Sequence, residues 1–205
     1  MELDAIWVPR ARNGDQEAFA ELVRRYGRPV YSLCLRMLGS APDAEDAAQE
    51  SFVRAFQALH RYDSKRPFAT WLLSIASHHC IDRLRRRRLA EVSLDALPPW
   101  RWLPGTTVDP EEAASDAVEA DRIVRLLMQL PDDYRLVVVL RYWHDLGYAE
   151  IAEILGETEP AVKSRLHRAR RLLASSLDSR PQAGPLASGH AQRGEMEWTV
   201  AKAVA

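Results

Sequence analysis

The sequence predicts an all-α protein: two small helical domains joined by an acidic, proline-rich linker, with a helix-turn-helix in the second. Three observations carry this. Apolar residues recur at three- and four-residue spacing along most of the 205 residues, and no stretch alternates convincingly as a strand would. Pro98, Pro99, Pro104 and Pro110, with Gly105, break that spacing between residues 89 and 117. The segment GYAEIAEILGETEPAVKSRLHRARRLL at 147–173 reads as two short helices around a glycine turn. The boundaries that follow are a first domain at 13–88, a linker at 89–117, a second domain at 118–176 and a disordered tail at 178–205.

In chain order, Asp15 is placed to cap a helix running to about Tyr26, with Phe19, Leu22 and Val23 on its apolar face. Pro29 is read as opening a second helix, which Gly39 closes. Pro42 and Asp43 start a third, DAEDAAQESFVRAFQAL, in which Ala44, Ala48, Phe52, Ala55, Phe56 and Leu59 turn inward. HRYDSKRP interrupts the pattern, and a long helix resumes from Phe68 to Arg88. Helical spacing returns near Val118, breaks at Pro131 and continues to Trp143, with Leu136, Leu140 and Trp143 on one face. A short helix from Tyr148 to Leu155 ends at Gly156, where a residue without Cβ fits a left-handed turn. Thr158 caps the last helix, whose buried stripe is Val162, Leu166, Ala169 and Leu173. After Asp178, Pro, Gly, Ser and Ala dominate, the composition of a disordered tail, although GEMEWTVAKAV within it has some amphipathic character.

Charge and composition narrow the function. The net charge of -1 argues against a purely electrostatic nucleic-acid binder, yet its distribution is uneven. Arg83 and Arg85 to Arg88 make one basic block and the last helix another, separated by Glu91, Asp95, Asp109, Glu111, Glu112 and Asp116. The N-terminus, with Glu2 and Asp4, does not resemble a secretory signal, and the longest aliphatic run, Leu136 to Leu140, is too short to span a bilayer. Cys34 and Cys80 are read as reduced thiols, and a cytoplasmic location with no membrane insertion is expected. His78, His79 and Cys80 are adjacent, so their side chains point about 100° apart on a helix and do not converge on one ion. No metal site, cofactor or catalytic constellation is expected, and hence no enzyme.

Two further surfaces stand out. On the third helix, acidic residues of the first turn have a macrodipole explanation, but Gln49 and Glu50 lie beyond it, which suggests a protein-docking face. In RYDSKRPFATWL, Tyr62 and Phe68 could stack on unpaired bases while Lys65, Arg66 and the arginine block neutralise phosphates; Trp71, spaced with Ile75, reads as core.

NGDQEAFAELVRRY, DAEDAAQESFVRAF, FATWLLSIASHHCIDRLRRRR and YAEIAEILGETEPAVKSRLHRARRLL, in this order, resemble the bacterial extracytoplasmic-function (group IV) sigma factors, the two-domain branch of the housekeeping sigma family. The resemblance implies a subunit that binds RNA polymerase core, recognises minus-35 and minus-10 promoter elements and promotes transcription initiation. It assigns core binding to Asp46, Gln49 and Glu50, and minus-10 DNA to Arg61, Tyr62, Asp63, Ser64, Phe68, Arg85 and Arg86. To minus-35 DNA it assigns Lys163, Ser164, Arg165, Arg168 and Arg171. An anti-sigma factor is a further partner it implies. Departures are His78 in place of a usual asparagine, Pro160 and Ala161 in place of a common Gly-Thr pair, and Gly147 in place of a frequent capping serine. The rival reading is a stand-alone helix-turn-helix regulator with an N-terminal sensor or oligomerisation domain.

Overall fold

A computed structural model describes residues 2–94 and 114–178, with side chains from 3–90 and 121–176. The described residues form eight α-helices and one 3-10 turn, with no strand. They are α1 (Glu2–Arg12), α2 (Gln16–Leu38), α3 (Ala41–Ala58), α4 (Phe68–Leu94), α5 (Ala114–Leu127), α6 (Asp132–Tyr142), α7 (Tyr148–Leu155) and α8 (Glu159–Asp178).

Asp15 caps α2 as expected, its carboxylate accepting from the Ala18 N–H at 3.0 Å. The two helices expected on either side of Pro29 are one continuous helix. Proline there removes a single backbone donor, and burial of Val30, Leu33, Cys34 and Met37 beyond it offsets that loss. Helix α1 was not anticipated from the sequence. It packs against α2 through buried Val8 and Ala11, and Tyr26 donates to Asp4 at 2.6 Å. The α3 face toward the core is built of Ala44, Ala47 and Ala55, small enough for close approach to α2 and α4. Helix α4 runs past Arg88 to Leu94, because Leu, Ala and Glu favour helix and the first strong breaker is Pro98. Helix α5 begins at Ala114. Most of the expected linker, and the tail from 179 on, lie outside the described residues.

In α6, Arg135, Leu136, Val137, Val138, Val139 and Leu140 are all buried. A helix apolar on one face buries one stripe; six consecutive buried positions mean that α6 is covered all round. Helices α7 and α8 cover one side and α2 and α4 the other. Arg135 is the polar centre of this junction. It donates to the carbonyls of Leu127 (2.9 Å) and Leu130 (2.9 Å), and to that of Met37 near the end of α2 (2.5 Å). Around it, Arg36 of α2 stacks on Trp143 at 4.7 Å, and Arg88 of α4 pairs with Asp132 at 2.7 Å. The helices on the two sides of the linker are therefore in direct contact.

Candidate promoter-reading and polymerase-docking surfaces

The helix-turn-helix forms as its sequence predicts. Gly156 ends α7 at φ 66°, and the Thr158 hydroxyl accepts from the Ala161 N–H at 3.4 Å. Gly147 lacks the capping hydroxyl, but Glu150 reaches back to accept from its N–H at 2.8 Å, the acidic half of a capping box. Val162, Leu166 and Ala169 are buried, and Leu173 is half-buried beside them. Lys163, Ser164, Arg168 and Arg171 accordingly face outward from α8. Arg168 and Arg171 have no ion-pair partner among the described residues. Lys163 is 3.6 Å from Glu159 and lies over the Tyr148 ring. Arg165 differs from the others: it is half-buried and held by Glu157 at 2.5 Å across the turn. The sequence reading did not foresee this partner, since the two residues are eight apart and meet only once the turn has formed.

Asp46, Gln49 and Glu50 project from α3 on the polar side, as expected. Asp46 stays largely exposed although Arg83 approaches to 3.7 Å. Arg54, one turn on, hydrogen-bonds Glu50 at 2.8 Å and holds its carboxyl below the usual carboxylate range. The expectation that Phe56 turns inward needs correction. Phe56 is 46% exposed and Val53 50%, both adjoining these polar residues, and Phe56 leans edge-on against Phe19 with ring centroids 4.9 Å apart. Val53 and Phe56 thus form an exposed apolar patch with Asp46, Gln49 and Glu50 at its polar border.

The loop before α4 departs further from expectation. Arg61, Asp63 and Ser64 are exposed, as are Arg85 and Arg86 on α4. Tyr62 and Phe68, expected to offer stacking faces, are only 7% and 3% exposed. They form a cluster with Tyr26 and Trp71, centroids 5.0 to 5.5 Å apart, and the Tyr62 hydroxyl donates to the Arg66 carbonyl. Burial also pushes the Tyr62 phenol up from its ordinary value. These rings brace the loop, with Tyr26 and Trp71 half-buried beside the buried Tyr62 and Phe68. Periodicity pairs Trp71 with Ile75 but gives no sign that the loop folds back over its own aromatics.

Cys34 and Cys80 meet in the core with sulfurs 3.7 Å apart; their mutual hydrogen bond and burial push the Cys80 thiol far up. No group of three or more ligating side chains that could hold a metal occurs among the described residues, and no helix there is long and apolar enough to cross a membrane.

Residues 22–90 match the family model for sigma-70 region 2, and residues 120–173 that for sigma-70 region 4. The chain is similar to the ECF RNA polymerase sigma factor SigW of Bacillus subtilis, 39% identical over 176 residues, covering 83% of this chain and 94% of that protein. It is 33% identical over 180 residues to the ECF RNA polymerase sigma-E factor of Escherichia coli K12, with 85% and 94% covered. Among solved structures, CnrH in complex with the cytosolic domain of CnrY superposes with a TM-score of 0.64 at 28% identity, covering 87% of this chain and 99% of that one.

Proposed function

Because this chain belongs to the extracytoplasmic-function sigma factors of the sigma-70 family, promoter-recognising subunits in transcription initiation, we propose a division of that work among its surfaces. The α3 patch of Asp46, Gln49, Glu50, Val53 and Phe56 docks on RNA polymerase core. The outward face of α8 enters the major groove of the upstream element: Arg168 reads a base edge, and Lys163, Ser164 and Arg171 hold phosphates. Arg61, Asp63, Ser64 and Arg66 receive the downstream element once it is melted, and Arg85 and Arg86 neutralise its backbone. The buried ring cluster beneath the loop makes a rigid floor. A base leaving its stack needs such a preformed surface to offset a few kcal/mol of unpairing. On this reading the chain performs no chemistry of its own and acts in the cytoplasm with the polymerase. Its regulatory partner is an anti-sigma factor that competes for one of these surfaces.

The observation carrying this assignment is that the exposed apolar patch on α3 and the unpaired cations of α8 lie on different helices, so one chain can hold a protein and a duplex together. Permanganate footprinting tests the loop's part. Alanine variants of Arg61, Asp63 and Ser64 should fail to open a duplex promoter yet remain active on a pre-melted one. Equal failure on both templates would remove the loop from the opening step.

A further inference from the structure

The cations of α8 are not equivalent. Arg168 and Arg171 are exposed, with no ion-pair partner among the described residues. Lys163 keeps more than half of its side chain in solvent although Glu159 stands 3.6 Å away. Arg165 is the exception. Only 22% of its side chain is exposed, and its guanidinium reaches back from the second turn of α8 to the Glu157 carboxylate at 2.5 Å. Helical side chains lean toward the N-terminus, which is where the turn stands.

Glu157 is fixed where it can hold this cation. It follows Gly156, whose φ of 66° turns the chain out of α7, and its own N–H donates to the Ala152 carbonyl at 2.9 Å. One carboxylate oxygen takes Arg165, and the other is buried with no partner. Such a carboxylate depends on its one cation, because losing that cation leaves a charge uncompensated away from water. The pair therefore stays closed when the helix meets DNA. An arginine reads guanine by offering two N–H groups to O6 and N7. A guanidinium committed to a carboxylate on the turn is not free to offer them. Arg165 precedes Arg168 by three residues, the spacing that sets two side chains on one face. It lies one turn nearer the N-terminal end, with which groove-entering helices read bases.

We infer that Glu157 sets the base preference of α8 without touching DNA: it withholds Arg165 from the groove, so that the helix reads one position fewer than its arginines allow. Released from Glu157, Arg165 meets the base pair beside the one read by Arg168. Glu157 is thus a positioning residue that acts through Arg165. The inference rests on the reading of α8 as the major-groove helix.

The test is selection from a duplex library randomised over the upstream element, using the full chain bound to core polymerase. Glu157→Ala should gain a guanine preference of about fivefold or more at one position beside that read by Arg168. The double variant Glu157→Ala with Arg165→Ala should lose it again. Arg165→Ala alone should select the wild-type motif, whatever it costs in folding. A pair that merely pins the turn would move the urea midpoints of these variants and leave the selected bases alone. The inference is overturned if Glu157→Ala selects the wild-type motif, if the double variant keeps the new preference, or if Arg165→Ala loses a wild-type one. Glu159→Ala removes a carboxylate from the same end of α8 without freeing Arg165 and should add no preference; an equal gain there assigns the effect to charge alone and also overturns it. Should Glu157→Ala not fold, Glu157→Gln, which keeps an acceptor and loses the charge, should show the same preference more weakly, and a wild-type motif in that variant decides against the inference. Arg168→Ala separates the two readings. A changed motif there, with none at Glu157, removes the role of Glu157 alone; an unchanged motif in Arg168→Ala removes the reading of α8 and this inference with it.

Discussion

Truncating Arg168 to alanine separates reading DNA from folding more cleanly than any other change in α8. Its side chain is exposed and has no ion-pair partner among the described residues, while the stripe beneath it, Val162, Leu166 and Ala169, is buried and untouched by the change. Folding stability should move by no more than about 0.5 kcal/mol. A bidentate arginine–guanine contact is worth about 1–3 kcal/mol, so affinity for the best upstream duplex should fall about 5- to 150-fold, with preference relaxed at one or two positions. Arg171→Ala should weaken all duplexes alike and flatten the salt dependence by about 0.9 in log-log slope, the mark of one lost phosphate contact. Arg165→Ala should do two things at once. It removes a cation from α8, and it strands the Glu157 carboxylate, whose other oxygen is already without a partner. That loss should cost about 1 kcal/mol or more in folding as well. Selection from a randomised upstream-element library, followed by titration at two salt concentrations and urea unfolding of each variant, reads all three. If Arg171→Ala changes the preferred bases while Arg168→Ala leaves them unchanged, the division of labour along α8 is wrong.

The docking patch predicts that Asp46→Ala with Gln49→Ala weakens association with core polymerase while leaving stability within about 0.5 kcal/mol; undiminished co-purification would remove them from the interface. His144 gives a pH dependence. Burial, reinforced by Arg36, pushes its imidazole down to about 4, and its Nε2 is buried with no partner; Arg28 and Asp145 are the other charged groups lining the same cavity. His79 is lowered as well, first by burial and then by Arg54. An imidazole held neutral in the folded chain incurs no penalty above its unfolded value of about 6.5. Stability is lost as pH falls from there toward 4, by about 1–2 kcal/mol at pH 5 for His144. Urea midpoints at pH 7.5 and 5.0 measure the loss, and His144→Asn should remove most of it; an unchanged slope in that variant places its origin elsewhere. Cys34 and Cys80, both fully buried, should react with a thiol reagent only as fast as the chain unfolds; rapid modification of the native protein would contradict the packing of α2 on α4.

The helix-turn-helix was the most legible part of the sequence, because its signals are local: a glycine at the turn, a threonine cap and a four-residue apolar stripe. The α3 surface was partly legible. Its polar side, with Asp46, Gln49 and Glu50, was legible from the residue types, but the exposure of Val53 and Phe56 beside it was not, because helical spacing alone placed Phe56 inward. Pro29 misled for a physical reason: one missing donor inside a helix buried on both sides of it is tolerated. The roles of Tyr62 and Phe68 were hidden because a loop folding back on Tyr26 and Trp71 leaves no periodic trace. Contacts between residues far apart in sequence, such as Arg66 with Glu153 and Arg135 with the Met37 carbonyl, could not be read at all. They arise from packing across a linker whose length sets no register.

Run-off transcription on a promoter pool tests the central claim most directly, with core polymerase in the presence and absence of the full chain and with both promoter elements randomised at fixed spacing. The account predicts RNA only when the chain is present, from templates that share two separated motifs. It further predicts that Arg168→Ala alters the upstream motif alone and that loop alanine variants are rescued by pre-melting the downstream one. Binding of the chain to duplex DNA through α8, with no core-dependent initiation at any template, would contradict it and return the chain to the stand-alone helix-turn-helix regulators.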